Sequence, residues 1–350
     1  MAAMSRGVHI VALSARTPVG LTPETTAAAV RSGISGIVEH LFMVDPFGER
    51  LRGGVDARLD PVLLGWQRTY ALAEAALRSL NQRLAKLGLV GDELPRVLLG
   101  MPDRRPGWTP EDAEALRTNL ASHSGSPIED VARGHAAALH GMVLASEQIA
   151  AGMLDWCIVG GVDSYFDADT LDWLGTHRQL ETAVTRSSFF PGEAAGFVAL
   201  ASDDLVRRLG LASLARVRGA ASASEHNLIK TEAINTGQGL TEAIRQATTS
   251  LESSGERIDD IYCDINGERF RSEEWGFAVL KIHERLVDGS AYNLPVSSWG
   301  DVGAASGALF ATLAARAWAR GYASGPLALL WAGSEGGLRS AVVLEQPQRT

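Results

Sequence analysis

Short apolar runs alternate along this chain with longer segments in which Ala, Leu and other apolar residues recur at helical spacing. Val8 to Leu13 is the first such run. It breaks into Ser14-Ala15-Arg16-Thr17-Pro18-Val19-Gly20, as a buried strand does on entering a loop. Thr22-Pro23-Glu24 then offers an N-cap, a proline at the first helical position and an acidic first turn, so a helix is expected from there to Gly33. Trp66 to Leu87 reads as a long amphipathic helix, Arg96 to Leu99 as the next strand, and Thr109-Pro110-Glu111-Asp112 as the start of a helix reaching Ala121. Gly134 to Ala151 is an Ala-rich helix stopped by Gly152, and Trp156 to Val162 is an apolar strand. This alternation predicts a mostly parallel sheet with helices on both faces.

The second half repeats the pattern, with a strand expected over Ala215 to Ala220 and an Ala-containing helix within Thr231 to Leu251. One echo is close. Gly134-His135-Ala136-Ala137-Ala138-Leu139, a helix, Gly152 and the strand Trp156 to Gly161 are matched in order by Gly303-Ala304-Ala305-Ser306-Gly307-Ala308, a helix, Gly321 and the strand Leu327 to Gly333. The order of matching features implies duplication. Helix starts built from Gly and Ala let backbones approach closely, which suits two central helices buried between sheets.

Composition narrows the function classes. At 350 residues, 46% hydrophobic and 21% charged, the chain has a globular composition and can bury a large core. A net charge of -9 argues against a nucleic-acid partner. The two cysteines, Cys157 and Cys263, are too few for a disulfide framework or a cysteine metal site, so a reducing compartment, the cytoplasm, is expected. Met1 to Leu13 lacks the apolar core of a signal peptide, and no window has the apolar length of a membrane span. Dinucleotide and Walker spacings are absent, so no nucleotide cofactor is expected.

Four segments carry a resemblance: Val8 to Gly20 with its Thr-Pro-x-Gly turn, Glu24 to Gly36 with its Ser-Gly-Ile element, Gly152 to Ser164, and Pro191-Gly192-Glu193-Ala194-Ala195-Gly196. On these the chain resembles the thiolase superfamily, and within it the β-ketoacyl synthases, which condense acyl chains carried on acyl carrier protein. The resemblance implies an α/β, thiolase-like five-layer αβαβα fold made of two duplicated halves, here 1–205 and 206–350. It also implies a dimer and a centre of Cys, His and His or of Cys, His and Asn.

In that family the Cys opens the buried helix of the first half, where the helix dipole favours its thiolate and backbone N–H groups form an oxyanion hole. The matching position here is His135, in Arg133-Gly134-His135-Ala136-Ala137. Asn266, in Ile265-Asn266-Gly267-Glu268, stands where the first catalytic His is expected, and Asp301, in Val296-Ser297-Ser298-Trp299-Gly300-Asp301, where the second is expected. The late Gly-Phe-Gly-Gly loop matches Gly333-Ser334-Glu335-Gly336-Gly337, which puts Glu335 in place of the acyl-pocket gate, with Gly336 beside it. Cys157 and Cys263 lie in apolar runs and read as core residues. Ionised Asp301 and Glu335 would repel the enolate oxygen of a condensing reaction, while Asn266 keeps an N–H that suits part of an oxyanion site.

His135 admits two readings at this point: a base or acyl-accepting imidazole oriented by Asp301 or Glu335, or a residual buried polar pair in a disused pocket. His140 reads as a packing residue, and Asp163, Asp167, Asp169 and Asp172 as a solvated acidic face without calcium-loop spacing. Trp173, Trp275 and Trp299 are candidates for core packing or for a partner surface. Arg186 to Pro191 is shorter than the matching family stretch, which puts the acyl tunnel and the carrier dock in question.

The expected function is that of a degenerate ketosynthase-like protein that does not condense. It would act as a scaffold, heterodimer subunit or accessory or adaptor protein, secretion-effector association included. Within the family, chain-length-factor subunits of aromatic polyketide synthases lack the Cys and work through a partner. The alternative is an acyltransferase or thioester hydrolase acting on acyl-CoA or acyl carrier protein through His135 with Asp301 or Glu335. A third reading is a module that holds a small acyl ligand without reacting. Expected partners are a second thiolase-fold subunit, identical or not, and an acyl carrier protein or other protein client; no membrane, metal or cofactor is expected.

Overall fold

The computed structural model describes residues 6–45, 47–89 and 95–348; Met1 to Ser5, part of the N-terminal stretch read above, lie outside them. Eleven strands are present among the described residues: β1 (Val8–Arg16), β2 (Ile37–Val44), β3 (Arg50–Gly54), β4 (Val97–Met101), β5 (Ile128–Arg133), β6 (Trp156–Ser164), β7 (Glu193–Ser202), β8 (Ala215–Ser224), β9 (Asp260–Cys263), β10 (Leu327–Gly333) and β11 (Leu338–Glu345). Nine form one sheet in the order β5-β4-β6-β7-β1-β8-β11-β10-β9, and β2 pairs with β3 alone.

The expected mostly parallel sheet is mixed. β4 pairs in parallel with β5 and β6, but β7 returns antiparallel to β6 and pairs antiparallel with β1. The second half repeats this: β9 and β10 are parallel, β11 returns antiparallel to β10 and pairs antiparallel with β8. A parallel bridge from Tyr262 to Asn293 stands where the second half would carry the counterpart of β5. The two halves meet through their first strands, over Val8↔Val217, His9↔Arg216 and Ile10↔Ala215. Antiparallel pairing dominates because the last strand of each half folds back on the strand before it.

Alternation along the strands sorts side chains into layers. On the outer face of the first half, Leu72, Leu77 and Leu80 of helix Gly65–Lys86 and Leu116 of helix Pro110–Ser124 meet Leu99, Ile158 and Phe197. On the inner faces, Leu139 and Met142 of helix Ala137–Ala150 and Leu309 and Phe310 of helix Ser306–Arg320 meet Val159, Val198, Leu330 and Val342. Leu240 and Ile244 of helix Gln238–Ala247 and Trp275 and Ile282 of helix Arg269–Ile282 cover Leu329, Trp331 and Val343 outside the second half. The result is the five-layer αβαβα arrangement. Each buried leucine here is worth roughly 1.5–3 kcal/mol, so the central helices are held at high cost to any displacement.

Local signals set the helix starts. Thr22 and Thr109 each head a capping box, with Thr25 and Asp112, and each precedes a proline. The helix expected within Thr231 to Leu251 begins only at Gln238, because Gly237 adopts a left-handed conformation at φ 66°. The helix Ala168–Thr176, capped by Asp167, and the β2–β3 hairpin were not anticipated. Among the described residues no helix is long and apolar enough to cross a membrane.

Candidate functional site

Each central helix is entered through a turn at a glycine. Gly134 (φ 75°) and Gly303 (φ 45°) take positive φ, and a Cβ on either would collide with a carboxylate, that of Asp103 or that of Asp163. These turns aim the residues that follow at the seam between the halves. His135 projects from the first, and Asp301 lies just before the second.

The two side chains meet. His135 Nε2 lies 2.8 and 2.9 Å from the two carboxylate oxygens of Asp301, and both residues are buried. Asp301 also accepts from Asn266 Nδ2 at 2.5 Å, from the Gly303 backbone N–H at 2.8 Å and from the Tyr165 hydroxyl at 3.4 Å. Burial opposes its charge, but His135, Arg271 and Asn266 outweigh burial and hold the carboxyl well below the usual range. Burial and the Arg271 guanidinium pull His135 down, yet the Asp301 carboxylate prevails and the imidazole sits above its ordinary value. The opposed charges thus favour an imidazolium on a carboxylate over a neutral pair.

Sequence reasoning missed the cation beside it. Arg271 Nη2 lies 3.3 Å from His135 Nδ1 and 3.4 Å from Nε2. An atom nearly equidistant from both ring nitrogens avoids the carbon between them only by standing off the ring plane, so the guanidinium lies over the imidazole face. Arg271 is held there by Asp264 at 2.7 Å, the Gly333 carbonyl at 2.9 Å and Glu268 at 3.3 Å. Asp264 lies just past β9 and Arg271 on the following helix, a spacing with no signature in the chain.

The expected oxyanion donors are spent. The Asn266 amide gives its hydrogens to Asp301 and to Glu268 Oε2 (3.0 Å), and the Ala136 N–H, at the start of the first central helix, donates to Ser334 Oγ at 3.1 Å. Glu335 makes no hydrogen bond to His135. It pairs with Lys230, whose ammonium also reaches Gln179 at 2.5 Å and Glu268 at 3.2 Å. Gly336 is exposed and does not line the cavity. The free space beside His135, bounded also by Asp103, Trp173 and Phe189, is about 40 Å³, with a second gap of about 10 Å³ between His135, Asp264 and Ser306. At roughly 10–15 Å³ per water, these hold about three waters and one.

The acidic face read from Asp163, Asp167, Asp169 and Asp172 needs correction at its first member. Asp163 is buried, accepts from Arg105 at 2.7 Å and from the Ala304 N–H at 3.1 Å, and so ties the two halves together. A buried carboxylate demands such a partner. Trp275 and Trp299 are buried, while Trp173 stands half-buried against His177. His140 bonds Ser222 at 2.9 Å. Burial pushes the Cys157 thiol up to about 12 and that of Cys263 further still.

No protein-family model matches the sequence, and no curated protein does. Solved structures do match. The chain is similar to a type II polyketide synthase ketosynthase in complex with its acyl-carrier protein (AntDE:AntF), with a TM-score of 0.78, 16% identity, and 98% of this chain and 100% of that one covered. It is similar to the ishigamide ketosynthase/chain length factor at a TM-score of 0.78, 18% identity and the same coverage. It is also similar to a ketosynthase from module 6 of the bacillaene synthase of Bacillus subtilis 168, at a TM-score of 0.75 and 14% identity, over 98% of this chain and 72% of that one. The chain therefore has the thiolase-like fold of ketosynthases.

Proposed function

We propose that this chain is a non-condensing, ketosynthase-like scaffold: a subunit or accessory protein that pairs with another thiolase-fold subunit and serves an acyl carrier protein or other client in the cytoplasm. The observation that carries this reading is the His135–Asp301 pair, standing where a thiolate would be needed. A condensing centre must hold an acyl group on sulfur and stabilise an enolate oxygen with neutral donors. His135 offers no sulfur, Asp301 is a charge of the wrong sign, and the cavity of about 40 Å³ leaves no room for a long acyl chain. The similarity to a ketosynthase/chain length factor supports the subunit role. Division into duplicated halves at 1–205 and 206–350 belongs to the same proposal and is supported by the mirrored strand order.

A second reading, acyl transfer or thioester hydrolysis by His135 with Asp301, draws on the same pair; the version using Glu335 loses support because Lys230 binds that carboxylate. Incubation with acyl-CoA and acyl carrier protein separates the two. An unchanged intact mass with no thiol release supports the scaffold, and thioester turnover abolished by His135→Ala supports the enzyme.

A further inference from the structure

Among the described residues three that are not glycine take a positive φ: Arg178 at 55°, Ser187 at 62° and Lys230 at 58°. A side chain in that region crowds its own backbone, so each residue is held there by its surroundings. All three stand around one wall of the cavity beside His135. Arg178 and Ser187 bound the segment 179–186 at its two ends, Gln179 lines the cavity, and the Lys230 ammonium donates to Gln179 Oε1 at 2.5 Å.

The segment is fastened lightly. Its tip closes on itself: the Thr182 N–H donates to Thr185 Oγ1 at 2.8 Å, and that hydroxyl donates to the Leu180 carbonyl at 2.8 Å. Two backbone hydrogen bonds of 2.9 Å close its neck, from the Glu181 N–H to the Phe189 carbonyl and from the Phe189 N–H to the Gln179 carbonyl. Beyond the neck, Ser187 Oγ accepts from the Arg269 N–H at 2.7 Å. Of the side chains in 179–186 only Leu180 is buried, in a small cluster with Leu51, Tyr165, Leu174 and Phe189 that stands apart from the three large cores. A segment with one buried side chain and few bonds to the body opens at lower cost than the cores do.

We infer that 179–186 is a lid over the His135 cavity, hinged at Arg178 and Ser187, latched by Gln179 to Lys230, and closed in this structure. Closed, it leaves about 40 Å³, room for waters only. Opening breaks both neck bonds, withdraws Leu180 and removes the cavity wall at Gln179. It also lets Arg178 and Ser187 leave the left-handed region, so relief of strain offsets part of the cost. The inference goes beyond the scaffold reading and does not depend on it. Thioester turnover would overturn the scaffold and leave the lid standing, and a segment that never opens would leave the scaffold standing.

Hydrogen exchange of the full chain, read by mass spectrometry with residue-level fragmentation, reports opening at the Glu181 and Phe189 amides, which the neck bonds protect. In wild type the two should share one protection factor, roughly 100-fold or more below that of helix Ala137–Ala150. Gln179→Ala, which frees the latch, should lower that factor roughly 5-fold, and Arg178→Gly, which relieves a hinge, should raise it roughly 3-fold. Modification of His135 by diethyl pyrocarbonate should quicken in the first variant and slow in the second. Protection equal to that of the central helix, unequal factors at the two amides, changes of the same sign in the two variants, or His135 modification that does not follow them would each overturn the inference.

Discussion

Nε2 of His135 sits astride both carboxylate oxygens of Asp301, at 2.8 and 2.9 Å, and thereby joins the start of one central helix to the approach of the other across the seam between the halves. The contact spans 166 residues of sequence and is buried on both sides. Its consequences are measurable.

Removing one partner leaves a buried charge uncompensated. Asp301→Ala is expected to lower stability by about 3–5 kcal/mol. Asp301→Ala combined with His135→Ala should cost less than the two single changes added together, with a coupling of about 0.5–3 kcal/mol. Urea denaturation of the four proteins in the cycle measures it; strict additivity would show that the two side chains do not interact.

The same pair fixes a pH window. Asp301 titrates below its ordinary value in the folded chain, so its contribution is present above about 4 and lost as pH falls further. His135 titrates above its ordinary value, so its contribution is complete below about 6.5 and lost as pH rises through the raised folded value. The stability gap between wild type and His135→Gln should therefore be widest between about pH 4 and 6.5 and narrow on the alkaline side. Thermal melts across pH check this, and a gap that does not vary with pH contradicts an ionised pair.

The thiols should be inert. With Cys157 raised to about 12 and Cys263 also raised by burial, neither carries thiolate at mild alkaline pH. Native protein treated with iodoacetamide should show no adduct, and unfolded protein should show two. Prompt native alkylation of either cysteine would reopen the question of a surviving nucleophile.

Lys230, in a left-handed backbone conformation at φ 58°, ties together Glu335, Glu268 and Gln179, three residues that line the cavity beside His135. Lys230→Ala should change stability by no more than about 1 kcal/mol, since the ammonium is partly exposed. It should make His135 accessible to diethyl pyrocarbonate, detected on its own peptide by mass spectrometry. Equal modification of His135 in wild type and variant would show that Lys230 does not cover it.

The chain announces its fold more openly than its site. Apolar runs, Thr-Pro caps and the repeated Gly-Ala helix starts are local, and each lies within a few residues of the element it specifies. Strand direction is not local. β6 and β7 pair antiparallel, a direction that the alternation of strand and helix segments in the chain does not encode. Resemblance located His135, Asn266 and Asp301, and the structure brings all three within hydrogen-bond distance of one another through Asp301. Arg271, Arg105 and Lys230 escaped notice because an arginine or lysine is ordinarily a surface residue, and only the folded chain shows which carboxylates it must neutralise. Asp163 was misread for the same reason: its partner Arg105 is 58 residues away.

The most direct measurement of the central claim is a single-turnover incubation of the purified chain with an acyl thioester and a malonyl thioester, following carbon dioxide release and the β-ketoacyl product by mass spectrometry. Neither should rise above the protein-free rate. A burst of carbon dioxide and product stoichiometric with the protein, and absent from His135→Ala, would contradict the account.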